Sequence, residues 1–116
     1  MPIQGHEVKT YTIFSAQSIA ASGNASSAAI NTLIAGGYFS LQYTVTGTGT
    51  CKFEYLCSND GTTYAEPTDA TDIASGVTAG SGFVGFRPPL CKYLKVECTE
   101  TGGANAVTVT ATLAVQ

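Results

Sequence analysis

The chain has little charge and no tryptophan. Only 11% of its 116 residues are Asp, Glu, Lys or Arg, where globular domains average about 25%. The net charge is −3, and the few basic residues form no cluster of the kind that neutralises phosphates. We therefore expect no nucleic-acid partner. A neutral composition rich in Thr, Ser, Gly and Ala is instead typical of a chain that packs against copies of itself or other proteins.

Long apolar runs are also missing. No stretch approaches the roughly 18 apolar residues that a membrane helix needs, so we expect a soluble protein without a membrane partner. The N-terminal Met1–Glu7 has no basic region followed by an apolar segment, and a secretory signal is not predicted. These features predict one domain that folds in the cytoplasm.

Catalytic chemistry has little to build on. The one histidine, His6, lies close to the N-terminus, and nothing in the spacing of the eight acidic residues favours an acid–base pair. Three acids, Glu66, Asp69 and Asp72, fall in one segment, and their carboxylates leave a calcium site open as an alternative. Their spacing fits no calcium loop, however, and a solvated loop is the preferred interpretation. We predict no catalytic residue, cofactor, metal or small-molecule substrate, and hence no enzyme.

The strongest positive signal is alternation of apolar and polar residues. It is clearest in segments 39–46 and 107–115, where the apolar residues fall on one face and Thr, Ser or Gln on the other. Shorter strands are predicted in segments 8–14, 51–57, 83–86 and 93–99. The expected core includes Leu41, Tyr43, Val109 and Leu113. Each pattern is typical of a half-buried antiparallel strand.

Turn residues separate these strands and predict the fold class. Gly47–Gly49 and Gly102–Asn105 are each predicted to close a hairpin, and Asp60-Gly61 a tight turn. Segment 65–82 is predicted to be the longest loop. The whole is an all-β antiparallel sandwich or jelly roll of seven to eight strands. Residues 1–14 would form an N-terminal arm and first strand, and residues 15–116 the sandwich.

Four cysteines, Cys51, Cys57, Cys91 and Cys98, lie in predicted strands or next to one. The gaps between them are longer than the two to four residues usual within a zinc-binding pair. Buried free thiols are the preferred interpretation, since cytoplasmic proteins keep thiols reduced. A disulfide is the alternative, and four cysteines allow three full pairings between which the sequence does not choose.

Segment 39–67 resembles small bacteriophage virion proteins of β-sandwich type. The matching parts are Ser40–Tyr43, the Gly47–Gly49 turn, Phe53–Tyr55 and the Ser58–Tyr64 turn with its Asp-Gly pair. Further along, Phe86–Pro89 leads into Tyr93–Val96 and a final Thr/Val/Ala strand. The resemblance covers most of the chain after Gly36.

The resemblance implies a structural component of a phage particle, assembled in the bacterial cytoplasm and located in the virion. A capsid decoration or cement protein is favoured, which stabilises the head by binding the major capsid protein or another virion protein. A homo-oligomer, with a trimer favoured, is implied as well. The alternative is a carbohydrate-binding or adhesion module that uses the tyrosines. Contacts with partners are predicted in the first strand and in segment 66–77, at Val8, Tyr11, Phe14, Glu66, Asp69, Asp72 and Ile73.

Overall fold

The computed structural model describes residues 8–32 and 36–116, and this part of the chain contains nine β-strands. The strands are β1 (Lys9–Ile19), β2 (Asn24–Ser26), β3 (Ile30–Asn31), β4 (Phe39–Gly47), β5 (Cys51–Ser58), β6 (Ala74–Val77), β7 (Gly80–Phe86), β8 (Tyr93–Glu100) and β9 (Val107–Val115). No helix occurs in the described ranges, and so none there is long and apolar enough to cross a membrane.

The strands form two antiparallel sheets packed face to face. Sheet A has the order β1-β9-β4-β7, and sheet B the order β2-β8-β5-β6, with β3 also paired to β8. Since β2 and β3 pair with the same strand, they act as one interrupted strand, and each sheet then has four positions. This order is that of a jelly roll. The predicted antiparallel sandwich is confirmed.

Alternation places the apolar residues between the sheets. Leu41, Val109 and Leu113 of sheet A are fully buried, as predicted, and so are Phe53 and Leu94 of sheet B. Tyr43 is only half-buried, but its ring contacts the core, with its centroid 4.8 Å from that of Phe53. One apolar layer thus holds both sheets, and hydrophobic burial is the main source of stability.

Strand β1 is longer and less regular than predicted. It continues past the expected boundary after Phe14 as far as Ile19, while residues 1–7 of the expected arm lie outside the described part of the chain. Its pairing with β9 is irregular at two places, between Thr12 and Phe14 and between Phe14 and Gln17. Ala16 has a φ of 48° in the second irregularity. These bulges bend β1 along the edge of sheet A.

Both predicted hairpins are wrong. The Gly47–Gly49 turn joins β4 of sheet A to β5 of sheet B, and the turn at residues 101–106 joins β8 of sheet B to β9 of sheet A. The turns lie against each other, so that a Cβ added at Gly49 would be 2.5 Å from the Asn105 carbonyl oxygen. Glycine is needed here because two backbones meet, not because a hairpin closes.

The predicted loop at 65–82 is only partly a loop. Residues 66–73 have no regular structure, but Ala74–Val77 form β6, and β7 begins at Gly80. Gly, Ser and Ala have low strand preference, and these segments become strands because β5 and β4 offer them a partner. They complete the same edge of both sheets.

Candidate interaction surface

The outer face of sheet A carries no charge. We call this surface the neutral face. It consists of small polar side chains on all four strands, with one aromatic ring: Thr10, Thr12, Ser40, Gln42, Thr44, Ser81, Phe83, Gly85, Thr108, Thr110 and Thr112. The only charged residue in any strand of sheet A is Lys9, at the start of β1. Such a surface has no charge, and its hydroxyl groups can hydrogen-bond to water or to a partner.

The outer face of sheet B has the opposite character. We call it the charged face, and it carries Lys52, Glu54, Lys95 and Glu97. Glu54 lies directly opposite Glu97, but the Lys52 Nζ is 3.0 Å from the Glu54 Oε1, which offsets that repulsion. Lys95 extends over the ring of Tyr64, at 4.3 Å from its centroid. The charges therefore satisfy each other within the face.

Part of segment 66–77 joins the charged face as an acidic cluster. Carboxylate oxygens of Glu54, Glu66 and Asp72 lie within 4.8 Å of one another. A hydrogen bond with Glu54 raises the pKa of Glu66. Asp69, the third member of the calcium alternative, is not in this cluster. Because the three carboxylates are exposed or half-exposed and Lys52 neutralises part of their charge, the arrangement is that of a solvated acidic patch.

Glu100 has a structural role that the sequence analysis missed. Its buried carboxylate accepts hydrogen bonds from four backbone N–H groups, those of Ser22, Thr50, Gly102 and Gly103, at 2.8 to 3.0 Å. These bonds lower its pKa to about 2. Glu100 thus joins the turn after β1 to the turns before β5 and after β8. The adjacent Gly102-Gly103 was the available signal, since successive amides in a glycine turn bind carboxylates.

Asp60 is explained by its turn, as predicted. Its Oδ1 accepts hydrogen bonds from the Ser58 hydroxyl and from the N–H groups of Thr62 and Thr63, each at 2.9 Å. The bonds lower the pKa of the carboxyl. Glu100 and Asp60, whose pKa values are lowered by backbone N–H groups, thus both support turns.

Three of the cysteines lie in strands of sheet B, and Cys91 lies just before β8. Cys51 interacts with Cys98, and Cys57 interacts with Cys91. All four are free, as preferred from the sequence. Burial and the interaction with Cys91 raise the pKa of Cys57 to about 12, and the interaction with Cys51 together with burial raises that of Cys98. All but the half-exposed Cys57 are buried, so the pairs behave as small apolar groups of the core.

The predicted contact residues are not brought together. Val8 is exposed just before β1 and Tyr11 is half-buried on β1, while Glu66, Asp69 and Asp72 are exposed near the opposite edge of the sandwich. Phe14 and Ile73 are core residues, and their side chains are not available to a partner in this fold. The contact prediction therefore stays a prediction for the exposed members.

The tyrosines form no common surface either. Tyr55 is buried against Phe86, and the ring of Tyr38 carries the guanidinium of Arg87 at 4.6 Å from its centroid. The Lys95 Nζ lies over the ring of Tyr64, and the Lys92 Nζ lies 5.6 Å from the centroid of the Tyr93 ring. The exposed faces of these rings are thus already partly covered by cationic side chains.

Two exposed apolar residues were not singled out from the sequence. Phe83 of β7 is 67% exposed on the neutral face, and Leu90 is fully exposed after Pro88-Pro89. Leu90 lines a cleft of about 310 Å³ with Thr32, Phe39 and Cys91. For Phe83 the signal was present, because it falls on the polar side of the β7 alternation.

No family model matches the chain, and no curated protein matches its sequence. Similar folds occur in solved structures. SPBc2 prophage-derived protein YomS aligns with a TM-score of 0.54 and 13% identity, over 98% of both chains. These values show a shared fold.

Two longer proteins contain a similar domain. One is the bacteriophage CBA120 tailspike protein 4 enzymatically active domain, with a TM-score of 0.57 and 13% identity over 95% of this chain and 18% of the other. The other is infectious bursal disease virus VP2 in a subviral particle, with a TM-score of 0.53 and 17% identity over 94% and 32%. The chain spans less than a third of each. At such identities the similarity is one of fold alone.

Proposed function

We propose that this chain is a non-enzymatic structural component of a bacteriophage particle. Within that role we propose a decoration or cement protein, which binds capsid subunits and stabilises the head. The observation that carries the proposal is the neutral face, which covers one side of the molecule with small polar groups and the exposed Phe83. Assembly in the host cytoplasm is part of the same proposal and agrees with four free thiols.

The fold supports this role. Double-sheet jelly rolls recur in viral capsid domains, and the similar folds include a prophage-derived protein and a viral particle subunit. Many identical contacts on a symmetric particle add up through avidity, so that a neutral face without strong individual anchors is sufficient. The charged groups, in contrast, are satisfied within the chain.

The test is co-sedimentation of the purified chain with heads that lack it, followed by measurement of head stability to heating. We expect the chain to move with the heads and to raise the temperature at which they release DNA. Gln42→Glu puts one charge at an exposed position on the neutral face with almost no change in shape, and should weaken binding at least about tenfold.

The matched control is Thr99→Glu, which adds the same charge on the charged face, opposite Lys52. This variant should bind heads as the unmodified chain does. Equal loss in both variants would contradict the neutral face as the contact surface. A chain that stays at the top of the gradient with intact heads would contradict the decoration role.

Carbohydrate binding is the alternative, since jelly rolls also occur in lectins. The separate positions of the tyrosines give it less support than the neutral face gives a protein contact. A glycan array decides between the two. Saturable binding of a sugar, lost in Tyr38→Ala but not in Gln42→Glu, would favour the alternative.

A further inference from the structure

The four sheet edges differ in how well they are protected. An edge strand has unpaired N–H and C=O groups that can pair with another chain, and proteins block this with short strands, bulges or charge. The edges here are β1 and β7 in sheet A, and β6 and the β2–β3 side in sheet B.

Three edges are blocked in these ways. Strand β1 has two irregularities in its pairing and begins with Lys9. Strand β6 has four residues and an irregular register with β5, and β2 and β3 have only three and two residues. None of them offers a long, regular row of free backbone groups.

Strand β7 lacks all of these protections. It forms seven consecutive pairs with β4, from Gly80 opposite Val45 to Phe86 opposite Phe39, without a bulge. It contains no charged residue and no proline. Alternate residues of such a strand direct their N–H and C=O groups away from the paired strand. Among the described residues, no strand or loop other than β4 supplies β7 with a backbone hydrogen bond.

We propose that β7 pairs antiparallel with β7 of a second copy of this chain. The two A sheets then join into one eight-stranded sheet around a two-fold axis perpendicular to it. Their neutral faces become one continuous surface, with the Phe83 rings of both copies on that surface near the axis.

Charge identifies a second copy as the occupant. In an antiparallel pair of two β7 strands, the middle residue Phe83 lies opposite Phe83 of the other copy, so the pairing requires that no charge lies at or beside this position. The continuous segment from Ala74 to Phe86 contains no charged residue, which meets this requirement. A partner strand of different chemistry would gain more from an edge with complementary charge.

The contact is small. A seven-residue edge and one ring per copy bury less than the roughly 1,200 Å² of a standard stable interface. We therefore expect a dimer that dissociates on dilution into the low micromolar range. The pairing also differs from the trimer implied by the sequence resemblance. It does not depend on the proposed virion role.

The experiment is sedimentation analysis of the full chain over a dilution series. The expected mass at high concentration is twice the 11.9 kDa of the chain. Phe83→Lys puts two like charges opposite each other at the axis, and because the Phe83 side chain is 67% exposed the core is unchanged. This variant should have half the mass at every concentration. A monomeric or trimeric unmodified chain, or a dimer that persists in Phe83→Lys, would overturn the proposal.

The control is Thr112→Lys, which puts the same charge on the neutral face, on β9, two strands from the edge. It should remain dimeric. Amide exchange gives a second measurement, because alternate N–H groups of β7 should exchange at least about tenfold more slowly in the dimer. Equal exchange at high and low concentration would contradict the pairing. A monomeric unmodified chain that binds heads would contradict the pairing alone, whereas a dimer that binds no heads would contradict the proposed function alone.

Discussion

Sheets A and B both contribute buried residues to the core but face the solvent with opposite chemistry. Sheet A has one charged residue in its strands, at the start of β1, while sheet B has five, at Lys52, Glu54, Lys95, Glu97 and Glu100. All five of the latter have a partner within the chain: an ion pair, a hydroxyl, a ring or backbone amides. The difference shows that the charged groups of sheet B are satisfied within the chain, whereas the outer face of sheet A has no charge.

The largest expected effect tests whether the two sheets share one core. Leu113 of β9 and Leu94 of β8 are both fully buried. Replacing either with Ala should reduce the free energy of unfolding by about 2–5 kcal/mol, because each leaves a cavity in the common layer. Chemical denaturation of both variants measures this. A loss below about 1 kcal/mol in only one of them would show that the sheets are not equally involved.

The next effect concerns Glu100, the buried charge of sheet B. Because its folded pKa of about 2 lies below the ordinary value of 4.5, its contribution to stability is complete above pH 5 and is lost as the pH falls toward 2. Glu100→Gln leaves amide hydrogens facing backbone N–H groups and should lower the Tm by more than about 5 °C at pH 7.

The difference in Tm between the unmodified chain and Glu100→Gln should shrink as the pH falls from 5 to 2. Taking the difference removes the similar pH dependence of Asp60, whose pKa is also lowered. A difference that stays constant over this range would contradict the role of the charge. Gln42→Glu on sheet A should leave the Tm almost unchanged.

The two cysteine pairs differ in how accessible their thiols are to solvent. With oxidised glutathione, two thiols form one protein disulfide and release two molecules of reduced glutathione. We expect the bond between Cys57 and Cys91 to form at least about tenfold faster than one between Cys51 and Cys98, because Cys57 is half-exposed and Cys51 and Cys98 are fully buried.

Peptide mapping after alkylation identifies the linked cysteines. The Cys57→Ser variant should form no disulfide under the conditions that oxidise the unmodified chain, and its other thiols should react only after denaturation. A bond between Cys51 and Cys57 would contradict the pairing that the structure shows.

The smallest effect lies on the charged face. Lys52→Met removes the ion pair with Glu54 and should lower the free energy of unfolding by less than about 1 kcal/mol, since the pair is partly exposed. The loss should become smaller still as salt is added. Lys9→Met, on exposed β1, is the control and should have no measurable effect at either salt concentration. A larger loss of stability for Lys9→Met than for Lys52→Met would contradict the stronger role of charge in sheet B.

Local pattern was enough to predict the fold class and the buried faces of β4 and β9. In β4 and β9 the alternation places every second residue inward, whatever the neighbouring strand is. It was not enough to predict which strands the turns connect. A turn such as Gly47–Gly49 has the same residues whether it closes a hairpin or crosses between sheets, and the glycines here serve the approach of two turns.

The predicted contact residues stay a prediction. Low charge indicated a protein contact, but the predicted residues on β1 and in segment 66–77 lie near opposite edges, and two of them are buried. Which polar faces become one surface depends on strand order, which pairs residues far apart in the chain. Phe83 lies beside Gln42 only because β7 pairs with β4.

The sequence by itself determined that this chain is a neutral β-sandwich with alternating strands and no evident catalytic set, because side-chain periodicity and composition act locally. Tertiary structure decided that β6 is a strand and that β7 begins as early as Gly80, that the charges of the strands gather on sheet B, and that one edge is left regular and uncharged. Those features depend on hydrogen bonds between segments that are far apart in the chain. The local residue pattern does not specify which of these segments pair.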